Sequence, residues 1–306
     1  MGKVHETLKT RGKQATLQLD FDRRVVDAAA SYLSNEETDV SFLFSGWAYS
    51  ALPHRRLPDD AVWTLSTDHA SVVVQPGVKI LRDGTAVPVG VPYGSRARLI
   101  MLYLQSEAVK NNSRDVELGR SMNDWLKRMG IPVGGRTTND VKNQAERVAR
   151  CRLTFQFWQG NVSGLANQHI LDQALFMEGP SEASSSFLET ARLSEGYFEQ
   201  LKKHPLPVEE AAIKQISNNS MAIDVYIWLA YRLHVLQKPT HVTWLALYDQ
   251  FGSGFSRIDN FRTRFKDSLA LAMAVYPSAT LDVRQSGLLL HPSKPPAPRY
   301  SRKYIG

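Results

Sequence analysis

Residues 242–266 read VTWLALYDQFGSGFSRIDNFRTRFK, and this stretch decides the fold. Thr243 is placed to cap a short helix, because its hydroxyl can accept from a free amide of the first turn. Trp244, Leu247, Tyr248 and Phe251 then recur at i, i+3, i+4 and i+7, the spacing of one helix face. Gly252-Ser-Gly254 turns the chain. A longer helix, about Arg257 to Val275, places Ile258, Phe261, Phe265, Leu269 and Ala272 on one side. Two helices across a glycine turn, followed by β-prone runs at Ala279 to Arg284 and Gly287 to Leu290, are the order of a helix-turn-helix with a β-wing. An apolar helix from about Met221 to Leu236, stopped by Pro239, supplies the helix that precedes them.

The same order occurs earlier in the chain. A helix is expected from about Ser95 to Val109, with Leu99, Ile100, Tyr103 and Leu104 at helical spacing. Ser121 caps a short helix bearing Met122, Trp125, Leu126 and Met129, which Gly130 ends. After Gly134-Gly135 comes a helix from about Thr138 to Cys151 with Val141, Ala145 and Val148 on one side. β-prone runs follow at 153–158 and 169–176, joined by a loop at 159–168.

The fold class expected is therefore α+β, with tandem winged-helix domains and a small N-terminal α/β extension. The divisions expected are a flexible N-terminus (1–15), an α/β platform (16–90), a first winged helix (91–178), a linker (179–194), a second winged helix (195–293) and a basic tail (294–306). The linker rests on GPSEASSS at Gly179 to Ser186, which has no core-forming residues. Within the platform, Val25 to Leu33 suits a helix, Ser71 to Gln75 a strand, and Asp83-Gly84 a turn.

Charge points to a polyanion. The chain of 306 residues has a net charge of +7, and the excess is unevenly spread. Residues 91–180 carry 12 Lys+Arg against 8 Asp+Glu, and 195–306 carry 14 against 9, whereas 1–90 carry 10 against 11. Two basic blocks suit an acidic partner touched in two places, double-stranded DNA above all. An ordinary basic protein has the same balance.

In a helix-turn-helix the second helix enters the major groove. Turning 100° per residue from Val141, the outward arc of the first such helix carries Asn139, Lys142, Asn143, Glu146, Arg147 and Arg150. Arginine bonds guanine bidentately and asparagine bonds adenine, so these are candidate base-reading residues. A solvated face with a Glu146–Arg150 pair explains them equally well. In the second unit the arc carries Ser256, Arg257, Asn260, Thr263, Arg264 and Asp267, with Arg262 and Lys266 on the flanks, within reach of phosphates. The tail from Ser293 to Gly306 holds four cations and no acids; it is a phosphate-binding arm or a solvated tail.

The motifs of catalysis are missing. There is no G-x-x-x-x-G-K-[ST], no H-x-H pair and no G-x-S-x-G, so no catalytic residue, metal ligand or cofactor is assigned, and the chain is expected not to be an enzyme. Cys151 is the only cysteine, which excludes an internal disulfide. No run approaches the ~18 apolar residues of a membrane span, and the polar start has no secretory core, so a cytoplasmic protein without membrane contact is expected.

Several strings resemble plasmid-encoded RepA-type replication initiators. They are PYGSRARLIMLYL (92–104), VELGRSM (116–122), RMGI (128–131), VYIWLAYRL (225–233), VTW (242–244) and QFG (250–252). Gly46 to Asp60, which contains LPHRR (52–56), is similar to the same family, so the resemblance spans roughly residues 40–295. It implies a plasmid-borne initiator that binds repeated origin sites (iterons), helps open adjacent A·T-rich DNA and assists loading of the host replicative helicase, with a host initiator as a further partner. It also implies homodimers on inverted repeats that repress the initiator's own gene. A winged-helix transcriptional regulator with no replication role fits spacing and charge alone equally well, and an enzyme of DNA processing is the third reading.

Overall fold

The structure is a computed structural model, and it describes residues 2–36, 39–67, 70–159, 162–177 and 187–297. In chain order the N-terminal part gives α1 (Lys3–Leu17), α2 (Arg23–Leu33), β1 (Val40–Phe44), β2 (Trp63–Ser66), β3 (Ala70–Gln75), β4 (Gly77–Ile80) and β5 (Ala86–Gly90). The middle gives α3 (Gly94–Lys110), β6 (Asp115–Glu117), α4 (Met122–Arg128), α5 (Gly135–Arg150), β7 (Arg152–Gln159), β8 (Val162–His169), β9 (Leu171–Met177), β10 (Phe187–Leu193) and α6 (Glu195–Lys203). The C-terminal part gives β11 (Pro205–Glu209), α7 (Glu210–Ile216), α8 (Ser220–Arg232), β12 (Thr240–Thr243), α9 (Trp244–Phe251), α10 (Ile258–Ala274), β13 (Leu281–Arg284) and β14 (Gly287–Leu290).

These elements form two compact units. Among the described residues, a terminal unit comprises residues 2–41, 47–49 and 206–297, and a central unit comprises Phe42–Gly46 and Ser50–Pro205. The division differs from the one expected, because α1 and α2 pack in the terminal unit while β2 to β5 belong to the central one.

In the terminal unit α8 is almost wholly buried from Met221 to Ala230. It packs on α10, whose Phe261 and Phe265 are fully buried. Thr243 caps α9 by accepting from the Ala246 amide at 3.2 Å. Phe265 gathers Trp244 and Phe251 at centroid distances of 6.1 and 5.5 Å. The strands form an antiparallel sheet in the order β12-β14-β13, with Val242 opposite Leu288 and Leu281 opposite Leu290. Gly287 has φ 154°, and a Cβ there would lie 2.0 Å from the Val242 carbonyl oxygen, so only glycine lets β12 and β14 close up. α10 also packs against α2, whose Val25, Val26, Ala28 and Ala29 are buried. Of residues 1–15, expected to be flexible, those from Lys3 onward lie in α1, kinked at Gly12, and His5 Nε2 lies 2.8 Å from the Ala274 carbonyl oxygen.

The central unit repeats the local order α3, β6, α4, α5, and Ser121 caps α4 by accepting from the Asp124 amide at 3.2 Å. Trp125, Val141, Ala145 and Val148 are buried, as the helical spacing requires. Its three-stranded sheet runs β6-β10-β9: last strand in the middle, the strand after the first helix on one side, as in β12-β14-β13. The strands differ from those expected. Residues 153–158 lie in β7 and face not 169–176 but β3 and residues 163–168 of β8, with Val72 opposite Phe155 and Val74 opposite Leu153. Residues 162–169, expected as loop, are β8, so β7 and β8 are an inserted hairpin completing the sheet β2-β3-β7-β8. The linker also changes: Gly179 to Ser186 lies outside the described residues, and Phe187–Leu193 is β10, paired with both β9 and β6. The physical reason is that Val72, Val74, Leu153 and Phe155 are buried only when these distant strands meet.

Candidate nucleic-acid interface

In the terminal unit α9, the Gly252–Gly254 turn and α10 hold the candidate residues. Gly254 adopts φ +99°, which glycine reaches without strain, and the Tyr248 hydroxyl donates to the Phe255 carbonyl, fixing the turn. Ser256, Arg257, Asn260, Thr263, Arg264 and Lys266 are exposed, as the helical arc predicts. They divide by commitment. Thr263 Oγ1 donates to the Asp259 carbonyl at 3.2 Å, and Arg257 lies 3.8 Å from Asp259. Arg262 and Lys266 sit over the buried Trp244 ring, 5.7 and 5.6 Å from its centroid, and Arg262 also lies 3.7 Å from Asp259. Ser256, Asn260 and Arg264 make no hydrogen bond or ion pair among the described residues. Asn260 and Arg264 are one turn apart, so a guanidinium and an amide face outward together. Asp267, the last residue of the arc, is half-buried and lies in the field of Arg24.

The β13–β14 turn adds a residue that sequence reasoning missed. Trp244 Nε1 donates to the Arg284 and Gln285 carbonyls at 3.3 and 3.0 Å, and Arg284, Gln285 and Ser286 are exposed at the tip. The available signal was a cation at a tight strand joint. The first tail residues are tied down as well: the Tyr276 hydroxyl donates to the Lys294 carbonyl at 2.8 Å. Residues 298–306 of the basic tail lie outside the described residues.

Helix α5 of the central unit departs from the expected arc. Asn139 and Asn143 are exposed and Lys142 is half-buried. Arg147, a candidate base reader, is instead 2% exposed and held on every edge. Its Nη2 donates to Asp59 Oδ1 at 2.8 Å, Nη1 to the Val91 carbonyl at 3.3 Å and Nε to Asn143 Oδ1 at 2.9 Å, with the guanidinium 5.3 Å from the Tyr93 ring centroid. Arg150 is half-buried; Nη1 donates to the Val78 carbonyl at 3.2 Å and Nε lies 3.4 Å from Glu146, which also pairs with Lys79 at 3.3 Å. Arg147 and Arg150 are thus corrected to structural roles. The β4–β5 hairpin packs on the C-terminal half of α5, a covering that helical periodicity cannot report.

Burial alone would raise the Asp59 carboxyl, but hydrogen bonds from Arg147 and Arg56 outweigh it and hold the pKa below the ordinary carboxylate value. Gly90, at φ +81°, lets the chain pass this cluster, since a Cβ there would lie 2.0 Å from Arg147 Nη1. Burial pushes the Cys151 thiol up to about 12, which leaves no thiolate for nucleophilic chemistry at neutral pH. Among the described residues no group of three or more His, Cys, Asp or Glu is placed to hold a metal ion, and no helix is long and apolar enough to cross a membrane.

A mixed helix-and-strand fold with short helix pairs and small antiparallel sheets is also that of domains 2 and 3 of RctB. Their crystal structure aligns with a TM-score of 0.55 and 10% identity, covering 82% of this chain and 99% of that one; at this identity the likeness is one of fold. A second crystal structure of RctB domains 2-3 aligns at 0.49 with 10% identity, covering 80% and 94%. A search of curated proteins returns no match. The family model described as plasmid encoded RepA protein matches residues 91–250, just over half of the sequence. The chain belongs to this RepA-type family of replication initiators.

Proposed function

We propose that the chain initiates plasmid replication by binding repeated origin sites in double-stranded DNA, with both units as winged helices. The single observation that carries this reading is the pair of uncommitted side chains on α10, Asn260 and Arg264, exposed one helical turn apart in a chain of the RepA family. An arginine and an asparagine on one exposed helix face suit guanine and adenine edges in the major groove, and Arg257, Arg262 and Lys266 are placed to neutralise phosphates. No catalytic step is assigned; the binding energy itself bends or unwinds the duplex, at a cost that is lowest in flexible A·T-rich steps. Paired copies on inverted repeats, and hand-over to a host initiator and replicative helicase in the cytoplasm, complete the proposal.

Footprinting of the purified protein on the DNA flanking its own gene tests it. Phased protection over direct repeats is expected, weakening steeply with salt. Uniform coverage without phasing would sink the iteron reading. Binding to repeats by a protein whose plasmid replicates without it would leave a transcriptional regulator in its place.

A further inference from the structure

Arg147 does more than fill the core of the central unit. Three hydrogen bonds run in series from α5 to the loop that precedes β2: Arg147 to Asn143 at 2.9 Å, Arg147 to Asp59 at 2.8 Å, and Arg56 Nη2 to Asp59 Oδ2 at 2.7 Å. The middle members are buried or half-buried, whereas both ends, Asn143 and Arg56, are exposed, Arg56 at 61% of its side chain. Two guanidiniums share one carboxylate, so the cluster Arg56, Asp59 and Arg147 retains one net positive charge.

The relay also fixes what Asn143 can recognise. Its Oδ1 accepts from Arg147 Nε and from Gln144 Nε2 at 3.2 Å, and Gln144 Oε1 is itself held by the Tyr93 amide at 2.8 Å. Both lone pairs of Oδ1 are used, while Nδ2 has no partner among the described residues. Bidentate bonding to adenine needs that oxygen as an acceptor from N6, so Asn143 is excluded from it. What Asn143 turns outward is a donor-only amide, and at the other end of the relay Arg56 turns outward a guanidinium; the ligand chemistry that matches both is a row of acceptor oxygens.

We propose that Asn143 and Arg56, set in position by Arg147 and Asp59, form a phosphate clamp that grips the DNA backbone without reading sequence. The proposal rests on the duplex-binding reading above and adds a loop residue, Arg56, to the contact. It also gives the two units different roles, with α10 reading bases and the central unit holding phosphates.

The test uses the full-length chain, with titrations against a fluorescent duplex carrying the direct repeats and against a repeat-free duplex of equal length. Each neutralised phosphate contributes about 0.9 to the slope of log K against log[salt]. Arg56→Ala is expected to lower that slope by about 0.9 on both duplexes, a difference of roughly threefold in relative affinity between 50 and 200 mM salt. Arg56→Lys, which keeps the charge, is expected to restore it. Asn143→Asp keeps the oxygen that Arg147 needs but turns a carboxylate towards the phosphates, and is expected to weaken both duplexes at least tenfold. An unchanged slope in Arg56→Ala overturns the clamp, as does an Asn143→Asp loss confined to the repeat duplex, which would mark base reading. Failure of the parent reading looks different: wild-type protein that binds neither duplex overturns both, and Asn260→Ala with Arg264→Ala binding repeats normally overturns the α10 reading alone.

Discussion

Helices α10 and α5 follow short helices with the same construction, one capped by Thr243 and bearing buried Trp244, the other capped by Ser121 and bearing buried Trp125. Their outward arcs hold the same kinds of residue. In α10 the arginine on that arc, Arg264, is exposed and uncommitted; in α5 the arginine on that arc, Arg147, is 2% exposed and bound to three partners. The helices themselves do not differ enough to explain this. What differs is the covering: a hairpin, β4–β5, and the loop around Asp59 lie on α5, whereas Asn260 and Arg264 stay exposed on α10 although α2 packs against that helix. An arginine on the outer arc of such a helix is therefore free for a partner only where no other element claims that arc.

The contrast can be broken most directly at α10. Arg264→Ala combined with Asn260→Ala should weaken binding to the repeat duplex at least about 30-fold, from two base contacts at about 1–3 kcal/mol each. Thermal stability should stay within about 0.5 kcal/mol of wild type, since neither side chain has a partner to lose. Arg147→Met should show the reverse emphasis: a loss of roughly 2–4 kcal/mol in urea unfolding, because the Val91 carbonyl loses a buried donor and Asp59 is left with Arg56 alone. A stability change below about 1 kcal/mol there would erase the distinction between the two arginines.

Smaller effects sharpen the comparison. Ser121→Ala and Thr243→Ala should each cost about 1 kcal/mol by leaving a first-turn amide without its acceptor. Equal losses would confirm that the two short helices are built alike; a null result in either would separate them. The smallest effect concerns Glu209 of the terminal unit, whose carboxylate accepts from the Tyr32 hydroxyl. Burial raises its pKa above the ordinary 4.5, more than the Tyr32 hydrogen bond lowers it. The folded carboxyl therefore keeps its proton at a pH where the unfolded chain has lost it. Its contribution to stability is fully present below pH 4.5 and declines as pH rises through the folded pKa. Glu209→Gln, which still accepts from Tyr32, should flatten that decline in a series of unfolding curves at increasing pH.

Local chemistry made much of this legible without coordinates. The spacing of Trp244, Leu247 and Phe251, or of Val141, Ala145 and Val148, places each helix and its buried side, and Ser121 and Thr243 mark the starts where the caps are found. The outward residues of α10 follow from the same 100° rotation, as does the strand pair around Gln285-Ser286. All of these depend on neighbours within about four residues, or on one tight turn, so the linear order contains them.

The remainder depends on partners far apart in the chain. Arg147 meets Asp59 across 88 positions, and Val74 meets Leu153 across the whole of α3, α4 and α5. The same holds for α2 on α10 at opposite ends of the chain. Periodicity says only that Arg147 points away from Val141; it carries no information about what lies on that side. Linear order was enough for the two helix pairs, their caps and the exposed face of α10. Packing between distant segments settled that β7 and β8 join β2 and β3, that α1 and α2 share a unit with α8 to α10, and that Arg147 is buried against Asp59, because burial of a charge is set by whichever distant element closes over it.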